Sequence, residues 1–426
     1  MAQATHAERR WAPRFFTIWA GQAASLFGSS LAGFALIWWL TQSTGSATVL
    51  ATASIAGMLP GILLGPFAGA LVDRWNRRVI MIVADAFVAA VSAWLAIMFL
   101  TGAARPWHVY VIMLARSLGG AFHWPAMAAS TSLMVPREQL SRVAGLNQSL
   151  NGAMNIVAPP IGAFLLAVLP IHGIMGIDVA TALIAIVSLL FVAIPQPRAA
   201  RAERQRRTVF RDVADGFRYV SAWRGLCLVL VMATTVNLLM APAASLIPLL
   251  VSRHFGGGAV ELGVMNSSWG IGIVAGGLLL TAWGGFRRRI VTTLTGLASM
   301  GLAFGAIAAV PARAFPAAVV LSALGGLASP ITNGPMDAML QANVAPEIQG
   351  RVFTLVGTFC QIAQPLGLAI AGPLTDLLGL RTWFAIGGLS CVVMSLVGFA
   401  TPAVLNIEAG HERHRPASEP TGEAAS

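Results

Sequence analysis

The chain has 426 residues, of which 57% are hydrophobic and only 10% charged, a balance at which a soluble domain of this length would be hard to keep in solution. Its 27 basic residues are all arginine against 16 acids, a net charge of +11, but they lack interleaved aromatics and argue against a nucleic-acid footprint. With no lysine there is no Gly-x-x-x-x-Gly-Lys-Ser/Thr loop, which argues against ATP-driven transport by this chain alone.

Apolar runs long enough to cross about 30 Å of hydrocarbon recur from end to end. They predict spans near 14–40, 49–72, 79–101, 107–134, 140–168 and 171–194, then 223–252, 259–285, 288–310, 315–341, 350–378 and 380–405. The expected fold is an all-α membrane protein of twelve transmembrane helices in two six-helix halves. The halves cover 1–194 and 223–405, with a basic cytoplasmic linker at 195–222 and a polar cytoplasmic tail at 406–426 expected to be disordered.

Arg9, Arg10 and Arg14 precede the first span, which is too long for a cleaved signal and reads as a retained anchor. Within that span Gln22 is the polar member facing a path, while Trp38 and Trp39 suit an interface. Between the second and third spans stands Gly69-Ala-Leu-Val-Asp73-Arg74-Trp-Asn76-Arg77-Arg78, with Asn76 expected in a left-handed turn. Asp85 follows near the inner end and is expected to join Asp73, Arg74 and Arg77 in one network.

Arg116 lies in mid-membrane in the fourth span, where an unpaired lipid-facing cation would cost about 2.5–3.5 kcal/mol. It either takes part in function or bonds structurally to backbone carbonyls. His123 and Trp124, two turns on, face the cavity or are satisfied within the bundle. Asn147, Asn151 and Asn155 fall four apart on one face of the fifth span, followed by Pro159, Pro160 and Gly162, where freed carbonyls weaken the helix.

Among the remaining membrane acids, Asp178 and Asp376 lie towards the outer face and Asp337 lies deeper. Asp178 and Asp337 are candidate proton carriers, or else structural acids paired with arginine. The linker is expected to be partly helical along the membrane surface, with Phe210, Phe217 and Tyr219 towards lipid, or a solvated tether. Cys227, Cys360 and Cys391 are isolated packing residues.

The halves repeat. Gly119-Gly120, Pro125, Pro136 and Arg142 recur as Gly325-Gly326, Pro335, Pro346 and Arg351, and Arg77-Arg78 answers to Arg287-Arg288. Gly284 stands where Asp73 stands. Arginine crowds one face, with only Arg105, Arg253, Arg313 and Arg381 on the other. That bias places both termini and the linker in the cytoplasm of a plasma-membrane protein.

The Gly69–Arg78 loop resembles the signature of the major facilitator superfamily, Gly-x-x-x-Asp-Arg-x-Gly-Arg-Arg/Lys, with Asn76 replacing the second glycine. Arg116-Ser-Leu-Gly119-Gly120 is similar to that family's Arg-x-x-Gln-Gly, and Pro159-Pro160-Ile-Gly162 to its antiporter element. The opening Arg14-Phe-Phe-Thr-Ile-Trp-Ala-Gly21-Gln22 and Gly176-Ile-Asp178 resemble the macrolide and enterobactin exporter branch.

The resemblance implies a conformational latch at Gly69, Asp73, Arg74, Arg77, Arg78 and Asp85. It also implies a coupling or cavity role for Arg116, while the residues themselves offer Asp178 and Asp337 as coupling acids and Gln22, Asn147, Asn151 and Asn155 as a substrate path. The function implied is proton-driven export of an amphipathic drug, macrolide or siderophore by a monomer among membrane lipids, with no cofactor or metal and no nucleic acid. The alternatives are uptake, lipid movement, or a transporter-like receptor without flux. No catalytic constellation points to an enzyme.

Overall fold

The computed structural model describes residues 11–72, 75–194, 217–344 and 346–408. Twelve helices of 21 residues or more dominate these residues. In chain order they are α1 (Trp11–Thr44), α2 (Ala47–Val72), α3 (Arg77–Leu100), α4 (Pro106–Met134), α5 (Leu140–Val168) and α6 (Ile171–Phe191). There follow α7 (Arg224–Ser245), α8 (Ala259–Trp283), α9 (Arg289–Ala309), α10 (Phe315–Asn343), α11 (Pro346–Leu378) and α12 (Leu380–Ala400). Twenty-one residues at 1.5 Å each reach about 31 Å, enough to span hydrocarbon. Eleven of the described helices are long and apolar enough to cross a membrane. The exception is α4, which carries His108, Arg116 and His123 in one stretch.

Packing repeats between the first six helices and the last six. α1 lies on α5 and α6, α2 on α4, and α3 on both α4 and α6. Correspondingly α7 lies on α11 and α12, α8 on α10, and α9 on both α10 and α12. The two groups meet chiefly through α2 with α11 and α5 with α8.

The core is shared at one end only. Leu36, Leu40, Leu50 and Ile112 form one buried cluster with Leu246, Leu250, Phe304 and Phe384. At the end where α1 and α7 begin, Ile18, Met81, Ala126 and Leu189 form a cluster confined to the first six helices. Leu226, Ile290, Leu340 and Val352 form another, confined to the last six. Among the described residues, the two groups are therefore joined at one face and parted at the face carrying the start of α1.

Several local expectations change. Asn76 is extended (φ −67°, ψ 110°) rather than left-handed, and its side chain accepts from Arg78 N and Val79 N as the N-cap of α3. The residue suits a turn for two reasons, and here capping wins. In the second copy Gly284 is left-handed (φ 79°) and ends α8, so an aspartate there would be strained.

The arginine correspondence shifts by one or two positions. Arg77 Nη1 donates to Ala129 O of α4, and Arg289 Nη1 donates to Ala338 O of α10, both at 3.0 Å. Of the linker, residues 217–222 are helical, with Val220 and Trp223 buried on the last six helices and Phe217 exposed. The expectation for Phe210 lies outside the described residues. The start of the tail is held in place. Ile407 is buried, and Glu408 Oε1 accepts from Ile290 N at the start of α9.

Candidate functional site

A cavity of about 390 Å³ opens between α1, α3, α4 and α5. Its walls bring together Gln22 and Trp19 of α1, Asp85 of α3, Arg116, His123 and Trp124 of α4, and Asn147 and Asn151 of α5. Three of the four path residues expected from the sequence therefore line one chamber. Asn155 lines a separate crevice with Pro159, Pro248 and Asn266. Eight residues of helix advance about 12 Å, so a single polar stripe passes from one cavity to the next.

Arg116 has a partner. Its Nη2 meets Asp178 Oδ2 at 2.5 Å and its Nη1 donates to Ser29 O at 2.7 Å. Asp178, 2% exposed, also accepts from Ser29 Oγ and Ser92 Oγ, so α1, α3, α4 and α6 are tied at one carboxylate. A buried pair with its lone pairs satisfied offsets its own desolvation, whereas either partner alone would be a buried charge.

Asp85 does not join the Arg77 network. Its partners are Gln22 Nε2, at 3.0 Å from Oδ2, and His123 Nε2, at 3.4 Å from Oδ1. The reason is distance along the helix: Asp85 stands eight residues beyond Arg77, about 12 Å deeper. Arg78 turns away as well, donating to Leu189 O and Leu190 O in the last turn of α6, where carbonyls lack helical partners. His123 is not a satisfied bundle residue, for its Nε2 is buried without a hydrogen-bond partner. Trp19 is fixed by a bond from Nε1 to Asn147 Oδ1 at 2.8 Å.

Where the two helix groups meet, the proline pair has a direct consequence. Pro160 has no N–H for Ile156 O, and Ser267 Oγ of α8 donates to that carbonyl instead at 2.8 Å. Gly270 allows the approach, since a Cβ there would stand 2.8 Å from Ile156 Cγ1. Gly162 packs against Phe34 of α1. At the other seam Asp376 of α11 accepts from Ala47 N (3.0 Å), Thr48 N (3.2 Å), Ser46 Oγ (3.0 Å) and Thr48 Oγ1 (2.7 Å), capping α2 from the opposite group.

Twelve long helices, tied at one end and parted at the other, thus enclose chambers whose largely apolar walls carry a few polar groups. The family model described as transmembrane secretion effector, a major facilitator family, matches residues 10–420. The chain belongs to this family. Macrolide efflux protein A of Streptococcus pyogenes is 36% identical over 387 residues, covering 91% of this chain and 95% of that protein. The multidrug efflux pump Tap of Mycobacterium tuberculosis is 28% identical over 409 residues, covering 93% and 95%. A solved structure of the nucleoside transporter NupG superposes with a TM-score of 0.70 at 13% identity, covering 92% and 99%, which shows the fold.

In this facilitator the remaining expected residues are dispersed. Asp73 and Arg74 lie outside the described residues, and a Cβ at Gly69 would meet nothing within 4 Å among the described ones. Asp337 is exposed on α10 and, among the described residues, has no hydrogen-bond partner. The last six helices hold a second cavity, about 520 Å³, walled by Met232, Met300, Phe304 and Trp269 with Asn237, Asn266 and Gln364. Sequence reading missed this chamber and the Asp85–His123 contact. One available signal was that Arg116 and His123 stand seven residues apart, hence on one face of α4.

Proposed function

We propose that the protein is a secondary exporter of amphipathic small molecules that works by alternating access and is driven by protons flowing inward. In this reading all twelve long helices cross the plasma membrane, α4 included, as two pseudo-symmetric halves acting as a monomer. The arginine-rich face, with both termini, is cytoplasmic. The open face is then the cytoplasmic one, and the chambers stand ready to load from inside the cell.

The observation that carries the reading is the asymmetry of packing between the halves. Their cores merge at one face and separate at the other. The glycines follow the same division. On the joined side Gly263 and Gly270 of α8, and Gly372 of α11, already lie against the other half. On the parted side Gly65 and Gly69 of α2, and Gly350 and Gly357 of α11, have nothing among the described residues within 4 Å of a would-be Cβ. Unpartnered glycines on paired helices support a second state in which those stretches close and the far side opens.

In that state Asp73, with Gly69 and Arg74, latches α2 to the start of α11. Arg77 and Arg78 hold the ends of α4 and α6 as their base, and the Pro159–Pro160 segment forms the rocking seam. The Arg116–Asp178 pair holds the chamber wall, and the amides of Gln22, Asn147, Asn151 and Asn155 line the path.

Relatives named for macrolide efflux and for multidrug efflux make macrolides and mixed amphipathic drugs the first substrates to try. Expression in an efflux-deficient bacterium should lower accumulation of a macrolide or a cationic dye relative to empty vector, and a protonophore should cancel the difference. Equal accumulation of every compound, with the protein present in the membrane, would count against export.

A further inference from the structure

Asp85 and His123 face each other in the first chamber with neither fully satisfied. Asp85 Oδ1 stands 3.4 Å from His123 Nε2, beyond a good hydrogen bond, and that nitrogen is buried without a partner. The side chains are 12% and 15% exposed, so they are reachable from the chamber but shielded from bulk water.

The charges around them leave one vacancy. Arg116 is bound to Asp178, while Arg77 and Arg78 donate to backbone carbonyls away from the chamber. From α1 and α5 the chamber receives only uncharged groups, Trp19, Gln22, Asn147 and Asn151. With His123 neutral, Asp85 thus has no permanent countercharge among the described residues, in a largely apolar wall. With His123 protonated, the chamber is balanced. A carboxylate in such a setting takes a cation from whatever source offers one. Two sources fit here. A proton on the imidazole is one, and an organic cation seated against the faces of Trp19 and Trp124 is the other.

We propose that Asp85 is the countercharge for a monovalent amphipathic cation, and that this cation and the proton held by the Asp85–His123 pair exclude one another. When the cation enters, the proton leaves to chamber water, and when the proton returns, the cation is released. The inference deepens the export reading and rests on it only for the direction of exchange. It places the proton on Asp85 and His123, rather than on Asp178, which Arg116 already neutralises.

The test uses the full-length protein in detergent, weakly buffered, titrated with tetraphenylphosphonium. That probe is permanently charged and carries no exchangeable proton, so any proton released comes from the protein. Trp fluorescence reports binding and a pH dye reports release. For a one-for-one exchange, affinity should fall about tenfold per unit drop in pH, with up to one proton released per cation bound. Uncharged triphenylphosphine oxide should bind without a pH slope.

Asp85→Asn should weaken cation binding and abolish both slope and release. His123→Gln should keep binding but flatten the slope, which covers the case in which the Asp85 variant fails to fold. Proton release surviving in Asp85→Asn, an unchanged slope in His123→Gln, or the same slope for the neutral compound would overturn the assignment. Absence of flux with these binding results intact would retire export and leave this site standing. Flux with a flat slope would do the reverse.

Discussion

Asp376 clamps the two halves together at the joined face, and Asp376→Ala should shift the conformational balance towards opening there. The carboxylate receives two backbone N–H groups at the start of α2 and two hydroxyls, at 2.7–3.2 Å. Replacing an N-cap by Ala costs about 0.5–2 kcal/mol, and an anion at a helix N-terminus adds about 0.3–1 kcal/mol. Asp376 is exposed, and in the opened state water meets the same donors, so the lower part of that range applies. A net bias of about 1–2 kcal/mol changes the ratio of states by a factor of about 5–30.

Spin labels at Ala103→Cys and Arg313→Cys, exposed positions in the α3–α4 and α9–α10 loops, would read the opening by double electron–electron resonance. The background needs serine at Cys227, Cys360 and Cys391. The Ala variant should populate longer distances, with Asp376→Asn intermediate because an amide oxygen still caps without charge. Identical distance distributions in wild type and Ala would refute the clamp.

Three further predictions follow the same geometry. Arg116→Ala should destabilise the protein by about 3–5 kcal/mol, because it strands the Asp178 carboxylate. The double variant Arg116→Met/Asp178→Leu should recover most of the melting temperature but not transport. Ser267→Ala removes the donor to Ile156 O, which should cost about 0.5–1.5 kcal/mol on the α5–α8 seam and raise labelling of an α5 cysteine by an impermeant thiol reagent. Gly357→Leu points into open space, so it should leave folding and the open-face distances unchanged while stopping turnover. Normal turnover in that variant would remove the closing step assigned to α2 and α11.

The helices were legible in the sequence because the length of an apolar run is a one-dimensional property. The predicted spans match α1–α12 to within a few residues at most ends, the seventh stopping at Ser245 rather than near 252 and the last at Ala400 before Thr401 and Pro402. The grouping of Gln22, Asn147 and Asn151 was legible through helical periodicity and the expectation that amides avoid lipid.

Pairings across distant segments were not legible. Nothing local to Arg116 points to Asp178, 62 residues away, nor local to Asp376 to residues 46–48. Asp85 belongs with the arginine loop only if nearness in sequence means nearness in space. A helix that carries a side chain 12 Å deeper breaks that equation. Asn76 shows a different limit, since one residue type serves both left-handed turns and N-caps, and only the backbone decides between them.

The central claim is exchange of substrate for protons, and inverted membrane vesicles with an acidic lumen test it most directly. Loading the outside with a macrolide or a cationic dye should produce accumulation in the lumen together with a rise in luminal pH, both abolished by a protonophore. Accumulation no faster than in vesicles lacking the protein, or accumulation that leaves the luminal pH unchanged, would contradict the account.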